Sequence, residues 1–139
     1  MGVTVIVNTL QGGCSCASLR TLDIRGNTIG VEGVKAIGSV LLECKLLKEL
    51  DLSAEGIGNE EFKAIMDGMC TNMTVIELSL GRCHISNETT KAITRMLLMN
   101  TTLHSLELVS LCTDLVVSLR DNFRSLLEST AGTKQSHSN

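Results

Sequence analysis

The chain has 139 residues, 43% hydrophobic and 19% charged, with a net charge of −3, which is enough apolar material for one core and no basic footprint for a nucleic acid. Phe62 and Phe123 are its only aromatic side chains, so bases have nothing to stack on and the core must be aliphatic. No apolar run approaches the ~18 residues of a membrane span, and Val3 to Val7 is too short and too uncharged at its start for a secretory signal; the expectation is a cytoplasmic protein.

At the N-terminus, Met1-Gly2 lacks the Ser or Thr that myristoylation needs where Ile6 stands. Val3, Val5, Asn8 and Leu10 repeat the pattern of Leu22, Ile24, Asn27 and Ile29. Val and Thr crowd this segment and favour a pleated surface, so a strand is predicted at 3–5. The loop Gln11 to Ser18 then replaces the helix of that first unit.

From Leu19 onward the apolar skeleton recurs every 28 residues. Leu19, Leu47, Val75 and Leu103 form one column; Leu22, Leu50, Leu78 and Leu106 a second; Ile24, Leu52, Leu80 and Leu108 a third; and Ile29, Ile57 and Ile85 a fourth, which ends at Thr113. Alternation across Leu22 and Ile24 marks a short strand with both side chains on one face. The predicted strands lie near 21–24, 49–52, 77–80 and 105–108.

Each strand is followed by a turn with Gly30 and Gly33, or Gly58, and then by apolar residues at helical spacing: Val34, Ile37, Leu41; Phe62, Ile65, Met69; Ala92, Ile93, Met96, Leu97. Asn59 ahead of Glu60 and Glu61, and Ser86 and Asn87 ahead of Glu88, offer cap acceptors and acids where helix N–H groups need them. Asn72 and Asn100 follow their helices, where a left-handed residue often closes the last turn. In the fourth unit Val116, Leu119, Phe123 and Leu126 arrive two residues early, which predicts a shortened loop and a final helix capped by Thr113 and Asp114 and running to about Leu127. A unit of this size cannot bury its own faces, so stacking must supply the stability. The expected organisation is a repeat domain over 1–128, with about four to five repeats, and a disordered tail over 129–139.

The six cysteines, Cys14, Cys16, Cys44, Cys70, Cys83 and Cys112, have no framework spacing, and reduced thiols are expected. Cys14-Ser-Cys16 is not a C-x-x-C pair and Cys83-His84 has no matching second pair, so no metal site and no cofactor is expected. Asn72, Asn87 and Asn100 open glycosylation triplets, which a protein without a signal peptide does not present to the enzyme.

Over Ser18 to Gly33, SLRTLDIRGNTIGVEG, the chain resembles the ribonuclease-inhibitor type of leucine-rich repeat, with its L-x-x-L-x-L-x-x-N-x-I-G-x-x-G signature; the likeness extends over about residues 3 to 127. The resemblance implies an α/β solenoid, a short right-handed horseshoe arc with strands in a concave parallel sheet and helices on the convex side. It also implies an inward column that satisfies turn backbone, here Asn8, Asn27, Glu55, Cys83 and Leu111, of which Glu55 and Leu111 depart from the Asn or Cys pattern. The family carries no common active site, no phosphate-binding loop is present, and Cys83, His84 and His104 do not suggest a nucleophile pair. A non-enzyme with no small-molecule substrate is expected.

By strand alternation the concave face carries Thr21, Glu49, Glu77 and Ser105, then Asp23, Asp51, Ser79 and Glu107, then Arg25, Ser53, Gly81 and Val109. Polar residues are ordinary on the solvated face of a sheet. Here, however, Asp23, Glu49, Asp51, Glu77 and Glu107 face Arg25 alone. The expected function is a protein-interaction module that binds a basic protein on this face, with no nucleic acid and no membrane. The alternatives are a regulatory fragment acting on an enzyme such as a small GTPase, as some members of the family do, and a truncated piece of a longer array.

Overall fold

The computed structural model describes residues 18–54 and 56–108, together with Arg124 and Glu128, both helical. Strands and helices alternate in the order β1 (Thr21–Asp23), α1 (Val31–Glu43), β2 (Glu49–Asp51), α2 (Asn59–Thr71), β3 (Glu77–Ser79), α3 (Asn87–Met99) and β4 (Ser105–Glu107). The expected strand at 3–5, the expected final helix over 114–127 apart from Arg124, the tail and the turn positions Glu55 and Leu111 lie outside the described residues.

All neighbouring strands are parallel and follow chain order, β1-β2-β3-β4, in one open sheet. The register is the 28-residue period itself: Leu22 stands opposite Leu50, Leu50 opposite Leu78, and Leu78 opposite Leu106. This is the expected α/β solenoid. Each strand is one residue shorter than predicted, although the following amide still joins the ladder, with Ile24 N–H donating to Asp51 O at 3.0 Å and Leu52 N–H to Ser79 O at 2.9 Å.

The middle residue of each strand and the residue just after it point toward the helices and fill one aliphatic core. Leu47, Leu52, Ile37, Phe62, Met66, Met69, Val75, Ile93 and Met96 are fully buried. The helices lie close together: a side chain at Gly68 of α2 would meet Leu41 Cδ1 of α1 at 3.2 Å. Removing that glycine would push neighbouring units apart, because packed interiors yield little.

The helix ends differ in part from expectation. Ser86 caps α3, forming a reciprocal capping box with Thr89, but α2 is capped by Gly58 with no side-chain bond. Asn59 lies inside α2, and its Oδ1 instead accepts from Ser86 Oγ of the next unit at 3.0 Å. Asn72 and Asn100 are extended, with ψ of 132° and 126°, rather than left-handed. Their amides are used across units. Asn72 Nδ2 donates to Leu41 O at 2.9 Å, and its Oδ1 accepts from Val75 N–H at 2.9 Å. Asn100 repeats this on Met69 O at 2.7 Å and Leu103 N–H at 2.7 Å.

Cys44 stands 28 residues before Asn72, and it is disulfide-bonded. The expectation of six reduced thiols is therefore corrected at this position; sequence spacing carries no information on which sulfurs a fold brings together. Cys70 and Cys83 are free. No helix among the described residues is long and apolar enough to cross a membrane.

Candidate functional site

The uncovered face of the sheet is built by the alternation that buries Leu22, Leu50 and Leu78. Their neighbours in each strand must point away from the core, so Thr21, Glu49, Glu77 and Ser105 share one row, and Asp23, Asp51, Ser79 and Glu107 share the next. Of the six residues expected on this face, Asp23, Glu49, Asp51, Glu77 and Glu107 fall within one run of adjacent strands, and Arg25 stands in the turn just after β1. Val109 lies outside the described residues.

The register sets like charges against each other: Asp23 is directly opposite Asp51, and Glu49 is directly opposite Glu77. Parallel strands are ~4.8 Å apart, and carboxylates placed directly across a ladder repel. Some of this charge is relieved locally. Arg25 pairs with Asp23 at 2.9 Å, Thr21 Oγ1 donates to Glu49 Oε2 at 3.3 Å, Ser53 N–H donates to Asp51 Oδ1 at 2.9 Å, and Ser79 Oγ donates to Glu107 Oε2 at 3.0 Å. Among the described residues the Glu77 carboxylate has no hydrogen bond or ion pair.

Two shallow depressions run into each other along this face. One, of about 230 Å³, lies over the strands between Asp23, Glu49, Asp51 and Glu77. The second, of about 350 Å³, lies at the C-terminal ends of the strands and is bordered by Arg25, Asp51, Ser53, Arg82 and Glu107. Arg82 was not expected here. It occupies the turn position of Gly26 and, like that glycine, is left-handed, with φ of 62° against 73°; nothing in local alternation announces that a turn residue will aim back over the sheet end. Counting it, five acids face two bases.

Residues 15–38 match the leucine-rich repeat family model. The matched stretch contains β1 and most of α1, and the following units repeat its register and burial. The fold is a leucine-rich repeat solenoid. No curated protein matches the chain. Leucine-rich repeats are in general protein-interaction modules without catalytic activity.

The turn that would have to hold a Cys-His pair is used structurally. Cys83 is buried, and its Sγ donates to Leu52 O of the preceding unit at 3.6 Å. Burial pushes the Cys83 thiol up from its ordinary value, the Ala54 backbone pulls it down in part, and Asp51 adds to the rise, so the nucleophilic thiolate is disfavoured. The equivalent Asn27 donates through Nδ2 to Ile24 O at 3.0 Å and Arg25 O at 3.3 Å. Between them the second turn departs: Ala54 is fully buried, and the left-handed residue is Gly56. No cluster of three or more His, Cys, Asp or Glu residues suited to a metal ion occurs among the described residues.

Proposed function

We propose that this leucine-rich repeat protein is a non-catalytic binding module that takes a basic protein on the uncovered face of its sheet. The observation that carries the reading is the pair of cross-strand repulsions, Asp23 against Asp51 and Glu49 against Glu77. A solvated face meets its need for polarity with Ser and Thr, as Thr21 and Ser105 do; stacking carboxylates in register costs stability that a cationic partner restores. Adjacent carboxylates lie within the ~8 Å Debye length at physiological salt, so their fields add and steer a basic partner, more strongly at low salt.

The ribonuclease-inhibitor type of repeat is part of the same proposal, supported by the signature over Leu19 to Gly33 and by the 13-residue helix of each described unit. So is residence in the cytoplasm; free Cys70 and Cys83 favour it, and the disulfide at Cys44 weighs against it. The test is a capture experiment from cytosol with the native protein and with a Glu49→Gln, Asp51→Asn, Glu77→Gln variant. The expected result is an intact fold with loss of the basic proteins captured by the native chain. The same captured set from both refutes the acidic-face reading.

A further inference from the structure

The depression at the C-terminal ends of the strands differs in charge from the one over the strands, although the two share Arg25 and Asp51. Over the strands, Asp23, Glu49, Asp51 and Glu77 surround a single arginine that is already paired with Asp23 at 2.9 Å. At the strand ends, Arg82 and Arg25 balance Asp51 and Glu107. Arg82 is exposed and, among the described residues, its guanidinium makes no hydrogen bond or ion pair. A planar guanidinium with an unused fork of donors is suited to a carboxylate. The trough is therefore bipolar along the strand direction, anionic over its middle and offering a cation at one rim.

We propose that the segment docking here is an extended polypeptide carrying both signs, with basic side chains over Glu49 and Glu77 and an acidic side chain against Arg82. This rests on the acidic-face reading and adds the orientation and spacing of the partner. β3 ends at Ser79, and Gly81 and Arg82 form the turn after it, so the turn lies roughly three to four residues' rise from Glu77, ~10–13 Å at the ~3.3 Å of an extended strand. A bound extended segment has the same rise, so its acidic residue lies about four positions from its last basic one. Direct complementarity of this kind fixes register and rejects segments of the wrong charge order.

The test uses capped synthetic octapeptides of one composition, three lysines, one aspartate and four glycines, titrated into isotopically labelled protein and followed by backbone amide shifts. In one, made in both chain orders, the aspartate stands four positions beyond the nearest lysine; in the other it lies among the lysines. The expected result is that one of the spaced peptides binds about threefold more tightly, the scale of one exposed ion pair, and shifts the amides of Gly81 and Arg82. Arg82→Gly, which suits the left-handed turn and so melts no lower than the native protein, should make the peptides equivalent. If spaced and unspaced peptides bind the native protein alike while the Glu49→Gln, Asp51→Asn, Glu77→Gln variant weakens both, the rim assignment is overturned and the acidic face stands. If that variant binds them as the native protein does, or no peptide shifts a resonance, both readings fall.

Discussion

The side-chain amide of Asn100 donates to the backbone carbonyl of Asn72 at 3.0 Å, joining the same position of two successive units. Asn72 in turn reaches back to Leu41 O at 2.9 Å while its Oδ1 accepts from the amides of Thr74 at 3.0 Å and Val75 at 2.9 Å. Asn72 is only 6% exposed, so water cannot replace these partners. Asn72→Ala should lower stability by about 3 kcal/mol, since a buried group left without its partner costs ~1–3 each. Urea denaturation measures it, and a loss below half a kcal/mol would refute the structural role. The same geometry closes the glycosylation triplet at Asn72, whose Nδ2 is committed to the core.

Leu50 is 2% exposed and sits between Leu22 and Leu78 in register. Leu50→Asp would put an unpaired carboxylate between its two neighbouring layers, a penalty of several kcal/mol against a total stability of ~5–15 kcal/mol. The helical circular dichroism and the cooperative melt should both be lost. A native-like melt would contradict the stacking.

The Glu49–Glu77 repulsion makes an opposite-signed forecast. Glu77→Gln removes one of two directly opposed charges and should raise stability by ~0.2–1 kcal/mol, more at low salt than at high salt because exposed charges are screened. Paired melts at two ionic strengths decide it; a salt-independent loss would show that the two carboxylates do not interact.

Cys83 holds its proton more tightly in the fold than in the unfolded chain, because burial raises its pKa above the ordinary 9.0. As pH rises past that value the unfolded chain releases the proton first, so the contribution present below it is lost above it. Urea midpoints should therefore fall between pH 8 and 10, and fall less in Cys83→Ala. Thiol titration of denatured, unreduced protein should return fewer than six groups, because Cys44 is disulfide-bonded. A count of six would remove that bond.

The layered core was legible because it is local and periodic. Leu22 and Ile24 declare a strand by alternation, Phe62, Ile65 and Met69 declare a helix face by spacing, and a fixed period turns each into a column. The rows of the open face followed from the same alternation, including the placement of Asp51 and Glu77. What escaped were relations between units that no short window contains. Asn72 and Asn100 were visible as a repeat, but their direction of bonding depends on the helix end one unit earlier, and a local rule assigned them a left-handed cap. Asn59 was drawn from its own helix start by Ser86 in the same way. Arg82 reached the sheet end through the left-handed turn of Gly26, a conformation that an arginine does not advertise.

The helix-end asparagines also give the solenoid an arrow of time. Asn72 and Asn100 both donate backward, to carbonyls of residues made 31 positions earlier. On the ribosome, then, α1 emerges with Leu41 O still unclaimed, and only the arrival of Asn72 secures it; α2 waits likewise for Asn100. Each unit is locked by its successor and never by its predecessor at this edge, so a released chain that ends at residue 71 should leave α1 more open to proteolysis than one that ends at residue 75.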